Sequence, residues 1–219
     1  MGDQVHRKTE DSLPMRRFLN RWFEPLLDFP DLPPRLHKKA LGKFSHAIGA
    51  HCKGIPSPDA RWGWKNPRNM WLISFYASVY PGLKFVHVIR DGRDMSLTGN
   101  LFLLKTHGNR LLGPAWQDSP QSAQLEAWAI GNLRAADAAR RCATGNYFLL
   151  RYEDLCLRPQ ETLYKLFQFL GVSQTLVEEA AAEIRPSAGI GRWQEHEGFS
   201  NDYISGSVKT ALQRFGYLA

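Results

Sequence analysis

Cysteine is scarce and scattered. Cys52, Cys142 and Cys156 are the three among 219 residues, with no CxxC pair and no Cys/His cluster at metal-ligand spacing. That pattern excludes a disulfide scaffold, gives no reason to expect a metal, and suits a reducing compartment. Long apolar runs are missing as well: nowhere do about 18 apolar residues follow one another, so no membrane span is expected. Residues 1–17 are polar and mixed in charge, without the apolar centre of a secretory signal, and the expectation is a soluble, cytoplasmic chain. No internal repeat or low-complexity tract is visible. Acidic residues are outnumbered, 21 Asp and Glu against 28 Lys and Arg, for a formal net charge of +7. This balance suits an anionic ligand, a nucleic acid or a merely well-solvated basic surface. Because Lys and Arg are dispersed and no groove-reading motif occurs, a nucleic-acid partner is disfavoured. What the chain does have is apolar bulk, 43% hydrophobic and 12% aromatic, enough to bury one substantial core. One domain over residues 1–219 is expected.

Residues 1 to about 60 carry Pro25, Pro30, Pro33, Pro34, Pro56 and Pro58 around short clusters such as Phe18-Leu19 and Trp22-Phe23, and read as short helices joined by Pro-rich turns. From Trp62 the pattern sharpens. Asn66 before Pro67 is an N-cap and first-turn signature, Leu72, Phe75, Tyr76 and Val79 recur at helical spacing, and Pro81-Gly82 ends that helix. Residues 84–90 form a β-branched run of strand length, broken by Asp91-Gly92. A helix over about 94–104, a looser segment to Pro120 and a long helix over about 122–142 follow, the last with Leu125, Trp128, Ala129, Asn132 and Ala136 on one face. Residues 147–151 read as a second buried strand, and a helix then runs from Pro159 to a stop at Gly171. Strands alternating with helices predict an α/β fold, a parallel central sheet flanked by helices. Only two strands are clear, so the sheet would be incomplete without contributions from the first 60 residues.

Open parallel sheets bind ligands outside the carboxyl ends of their strands, which draws attention to Arg90 and Tyr152. Arg90 offers a guanidinium fork, and Thr98, eight residues on, would return to the strand mouth if the intervening segment is helical. The plainer reading pairs Arg90 with Asp91 or Asp94 on a loop. Tyr152 offers an aromatic face and a hydroxyl, or simply packs. Lys65 lies beside the Asn66-Pro67 cap, where an ammonium and free N–H groups favour an anion, although most loop lysines are only solvated. Near the C-terminus, residues 185–193 combine Ser187, Gly189, Gly191, Arg192 and Trp193. Such a loop can grip a phosphate or stack on a base, or be a surface turn anchored by a buried Trp.

Taken in order, four stretches resemble the sulfotransferase family that uses 3'-phosphoadenosine-5'-phosphosulfate (PAPS), particularly its broad group with a Lys-x-Pro segment ahead of the central strand. They are residues 62–68 (WGWKNPR), 80–94 (YPGLKFVHVIRDGRD), 150–171 with Arg151-Tyr152-Glu153-Asp154-Leu155, and Ile190-Gly191-Arg192-Trp193. The matched core is about 62–217, with 1–60 poorly matched. The resemblance implies a nucleotide-binding, P-loop-like α/β fold. It also implies that Arg90 and Thr98 bind the cofactor 3'-phosphate, that Tyr152 approaches the adenosine, and that Ser187, Arg192 and Trp193 belong to the loop closing over that phosphate. Lys65 would face the transferring group. The implied reaction is in-line transfer of a sulfuryl group to a hydroxyl or amine of a carbohydrate or other small acceptor, without a metal.

The family normally opens with a strand and a Gly-rich, Ser/Thr-containing loop that cradles the 5'-phosphosulfate. Here the nearest candidates, residues 41–45 (LGKFS) and 52–57 (CKGIPS), lack the spacing and a preceding strand. The expectation is a fold without its first strand and phosphate loop, either a piece of a longer chain or a divergent member. Three functional classes follow: a sulfotransferase, an impaired relative that binds 3'-phosphoadenosine or another anion without transfer, and a basic nucleic-acid binder.

Overall fold

In the computed structural model the described residues are 13–53, 55, 57, 60–185, 187–197, 199–204 and 206–218. Pro56, Pro58 and Pro186, and Gly54 in the second phosphate-loop candidate, lie outside them. The chain divides into two units at Pro81/Gly82.

The first unit is helical. α1 (Leu13–Leu26) buries Met15, Phe18, Leu19, Trp22, Phe23 and Leu26, a stripe at helical spacing. α2 (Pro34–His51) starts on a proline, whose missing N–H is no loss in a first turn, and buries Phe44 against Phe18, Phe75 and Tyr76 at 5.2, 5.4 and 5.2 Å. Both helices are longer than the short ones expected. Among the described residues this unit has no strand, so the described part of the first 60 residues adds none to the sheet, where the pattern had suggested a contribution. The Asn66 cap forms as expected, its side chain accepting from the Arg68 N–H at 2.9 Å. The expected single helix is two pieces, a 3-10 turn (Pro67–Trp71) and α3 (Ile73–Val79). Arg68 and Asn69 on that turn are buried and satisfied: Arg68 donates to Asn20 Oδ1 at 3.0 Å, while Asn69 Oδ1 accepts from Trp64 Nε1 and Tyr76 OH, each at 3.1 Å.

The second unit carries the sheet. β1 (Phe85–Ile89) and β2 (Tyr147–Arg151) pair in parallel, Phe85 opposite Tyr147 and Ile89 opposite Arg151. Between them come α4 (Gly92–Ser96), α5 (Phe102–Leu112) and α6 (Pro120–Cys142). The expected helix over 94–104 is therefore interrupted, because the chain leaves helical geometry after Ser96 and Gly99 takes φ +67, a left-handed conformation open to glycine. The segment expected to be loose is largely α5. Its Gly108 packs under Trp116, where an added Cβ would stand 2.6 Å from the indole nitrogen. After β2 come α7 (Tyr152–Leu157), α8 (Pro159–Leu170), α9 (Val177–Ala182) and α10 (Gly206–Arg214). The core joins Ile89 of β1, Leu125 and Ala129 of α6, and Val208, Ala211, Leu212 and Phe215. Among the described residues no helix is long and apolar enough to cross a membrane, and no group of three or more His, Cys, Asp or Glu side chains could hold a metal.

Candidate functional site

Both parallel strands end at the same level, so the residues after them meet. Asp91, just past β1, accepts from its own Arg93 N–H at 2.9 Å and holds the Arg93 guanidinium at 2.7 to 3.2 Å. Its backbone N–H donates to Glu153 Oε1 at 2.9 Å, tying the end of β1 to the start of α7. The other oxygen of Glu153 accepts from Tyr217 OH at 2.8 Å, and Arg93 reaches the Tyr217 carbonyl at 2.7 Å. Burial, with the Glu153 carboxylate beside it, pushes the Tyr217 phenol well above its ordinary range, so it stays a donor. Gly92 has no room for a side chain: a Cβ would lie 2.4 Å from the Trp128 ring, whose Nε1 donates to the Arg90 carbonyl at 3.0 Å.

Arg90 points out of this frame. Its guanidinium lies 5.1 Å from the centre of the Tyr152 ring, donates to the Gly189 carbonyl at 2.5 Å and stands 3.8 Å from Asp94. The 187–194 loop folds over it. Gly191, at φ +77, donates its N–H to Asp94 Oδ2 at 2.8 Å, the Trp193 N–H donates to Asp94 Oδ1 at 3.1 Å, and Arg192 reaches the Asp94 carbonyl at 2.8 Å. The Trp193 ring lies under the Arg93 guanidinium at 3.7 Å. Within this assembly the Nε atoms of Arg90, Arg151 and Arg192 are buried without a hydrogen-bond partner. A buried guanidinium N–H is a strong donor, and leaving it unmet is costly, so each of these donors is chemically suited to an anion. A cleft of about 240 Å³, lined by Asp91, Arg93, Arg151, Glu153, Gln194 and Tyr217 among others, opens beside Arg151; Arg90 and Arg192 do not line it.

The family model described as "Sulfotransferase family" matches residues 6–175, which span both units and include β1, Arg90 and β2. The chain belongs to the sulfotransferase family. A solved sulfotransferase domain from the curacin biosynthetic pathway matches with a TM-score of 0.50 at 14% identity, over 92% of this chain and 79% of that one. At this identity the likeness concerns the fold, and it agrees with the expected α/β arrangement of parallel strands and flanking helices. No curated protein matches the chain.

Within this sulfotransferase chain the residues singled out from sequence fall into three groups. Arg90, Tyr152, Ser187, Arg192 and Trp193 belong to one assembly of the second unit; there Ser187 Oγ accepts from the Gly189 N–H at 3.2 Å. Thr98 stands apart and exposed. Its hydroxyl donates to the Met95 carbonyl at 2.8 Å and accepts from Gln124 at 3.2 Å, because the helix that was to carry it back ends two residues earlier. Lys65 is exposed and belongs to the first unit. The plainer reading of Arg90 is present in part, since Asp94 lies near it while Asp91 is taken by Arg93. Sequence reasoning missed the work of Asp94, Glu153 and Tyr217. The four-residue step from Arg90 to Asp94 was visible, but the partners of Glu153 and Tyr217 are 62 to 124 residues away.

Proposed function

We propose that this chain transfers a sulfuryl group from PAPS to a hydroxyl or amine of a carbohydrate or other small-molecule acceptor. The observation that carries the reading is Arg90 at the mouth of β1, its Nε buried and unmet, between the Tyr152 ring and the 187–194 loop. Arg90 and Arg192 suit the 3'-phosphate of the nucleotide, with charge-assisted donors and few competing water contacts. Tyr152 suits the adenosine, and Ser187 adds a hydroxyl on the same loop. The Trp193 face is occupied by Arg93, so its part is to hold the loop. When bound, PAPS supplies an activated sulfuryl group and a phosphate leaving group. Lys65 enters the reading on its motif, as the ammonium that offsets charge on the transferring group.

The reading predicts that 3'-phosphoadenosine-5'-phosphate stabilises the protein thermally, by about 2.7 kcal/mol at a ligand concentration near 100 times Kd. Arg90→Ala should abolish the shift, and absence of any shift with intact protein would refute the proposal. Transfer of radiolabelled sulfate to an acceptor, lost in Lys65→Ala, tests the chemistry.

A second reading, binding without transfer, is favoured by one observation. Residues 41–45, the first phosphate-loop candidate, lie inside α2, and among the described residues neither β1 nor β2 leads into a Gly-rich loop. Nucleotide binding with no detectable transfer to any acceptor would establish this second reading.

A further inference from the structure

Asp94 has the most demanding position in the second unit. Its relative exposure is 0%, yet it is ionisable and sits 3.8 Å from the guanidinium proposed to receive an anion. As an electrostatic neighbour it weakens the pull of Arg90 on that anion. Its hydrogen bonds have a different target. One carboxylate oxygen takes the N–H of Gly191, the other takes the N–H of Trp193, and the backbone carbonyl takes the Arg192 side chain, so three consecutive loop residues are held by one residue after β1. Gly191 is in the left-handed conformation that aims its N–H at Asp94, and Gly189 brings its carbonyl onto Arg90 where a Cβ would stand 2.7 Å from the guanidinium.

We propose that Asp94 is a positioning residue: by fixing the N–H groups of Gly191 and Trp193 it sets the 187–194 loop at the distance from Arg90 at which the protein distinguishes a ligand bearing a 3'-phosphate from one without. The inference rests on the nucleotide reading above. It assigns Asp94 to recognition of the phosphate through the loop, with no contact to the phosphate itself. The Gly189 carbonyl on Arg90 is the group that an incoming phosphate oxygen replaces.

The test is calorimetric titration of the full chain with 3'-phosphoadenosine-5'-phosphate and with 5'-AMP, which differ only in the 3'-phosphate. Wild-type protein should bind the first at least about ten-fold more tightly. Asp94→Asn keeps the size but replaces one acceptor by an N–H donor facing another N–H, and should weaken the 3'-phosphorylated nucleotide by about ten- to a hundred-fold while changing 5'-AMP by less than about three-fold. A variant that keeps the full preference, or loses both nucleotides equally, overturns the inference alone. Wild-type protein that binds neither nucleotide, or both alike, brings down the nucleotide reading and this inference with it. A second measurement does not depend on the variant folding. In the ligand-free wild type the Gly191 and Trp193 amides should exchange with solvent deuterium at least about a hundred-fold more slowly than open-loop amides, and unprotected rates there also overturn the inference.

Discussion

At the scale of single residues the second unit depends on close fits around Arg90. Gly92 is the strictest of these. Adding a methyl there drives into the Trp128 ring, which is itself held by the Arg90 carbonyl and cannot step aside freely. Gly92→Ala should therefore destabilise the protein by about 1–3 kcal/mol, read from urea unfolding, and should also weaken nucleotide-induced stabilisation because Arg90 moves with it. The Asp91–Arg93 pair behaves differently. Both are less than 10% exposed, so removing one leaves the other charge buried without its partner. Arg93→Ala should cost about 3–5 kcal/mol, more than loss of any exposed pair such as Lys165–Glu161, whose removal should fall within the scatter of the measurement.

At the scale of elements, the contact between β1, β2 and α6 contains a titratable group outside the Arg90 assembly. His87 of β1 is 3% exposed and lies between Tyr147 OH at 2.6 Å and Asn132 Oδ1 at 2.7 Å. The amide oxygen only accepts, so Nε2 carries the proton and Nδ1 accepts from the phenol, which burial pushes up to about 12 and keeps protonated. Burial lowers His87 to about 4, against 6.5 when exposed. The unfolded chain thus binds a proton that the folded chain refuses. The stability contribution is complete above pH 6.5, falls as pH drops below it, and is lost by about pH 4, an amount near 3 kcal/mol. Urea unfolding at pH 7 and pH 4.5 should show this decline, and His87→Gln should flatten the His87 part of it. Elements whose signal is periodic were legible: α6 and α8 fall close to the expected spans, and both strands lie within a residue of theirs. The break after α4 and the helix α5 were not: the expected helix over 94–104 ran through Gly99, whose φ of +67 ends it, and Gly108 lay in the segment expected to be loose, where only the Trp116 ring shows why it belongs inside a helix.

At the scale of the whole molecule the net charge of +7 is the property most open to misreading. Attraction between a dispersed positive surface and nucleic acid is screened within about 8 Å at physiological salt, whereas buried donors such as Arg90 Nε are screened far less. Non-specific DNA binding should therefore vanish between about 0.05 and 0.2 M salt, while stabilisation by 3'-phosphoadenosine-5'-phosphate persists; electrophoretic shift and thermal melting check the two halves. The strand–helix alternation, the ordered motifs around Lys65, Arg90 and Tyr152, and through them the family, can be read from the chain alone, because these signals are local and survive in short segments. It takes the packed fold to show that Asp94 holds the 187–194 loop, that Glu153 joins two strand ends to Tyr217, and that Thr98 turns to Gln124 while Arg90 meets Gly189. Those pairings span from 26 to 99 residues of chain. No local propensity encodes them, since a buried donor or carboxylate takes whichever partner the packed core brings within hydrogen-bond reach.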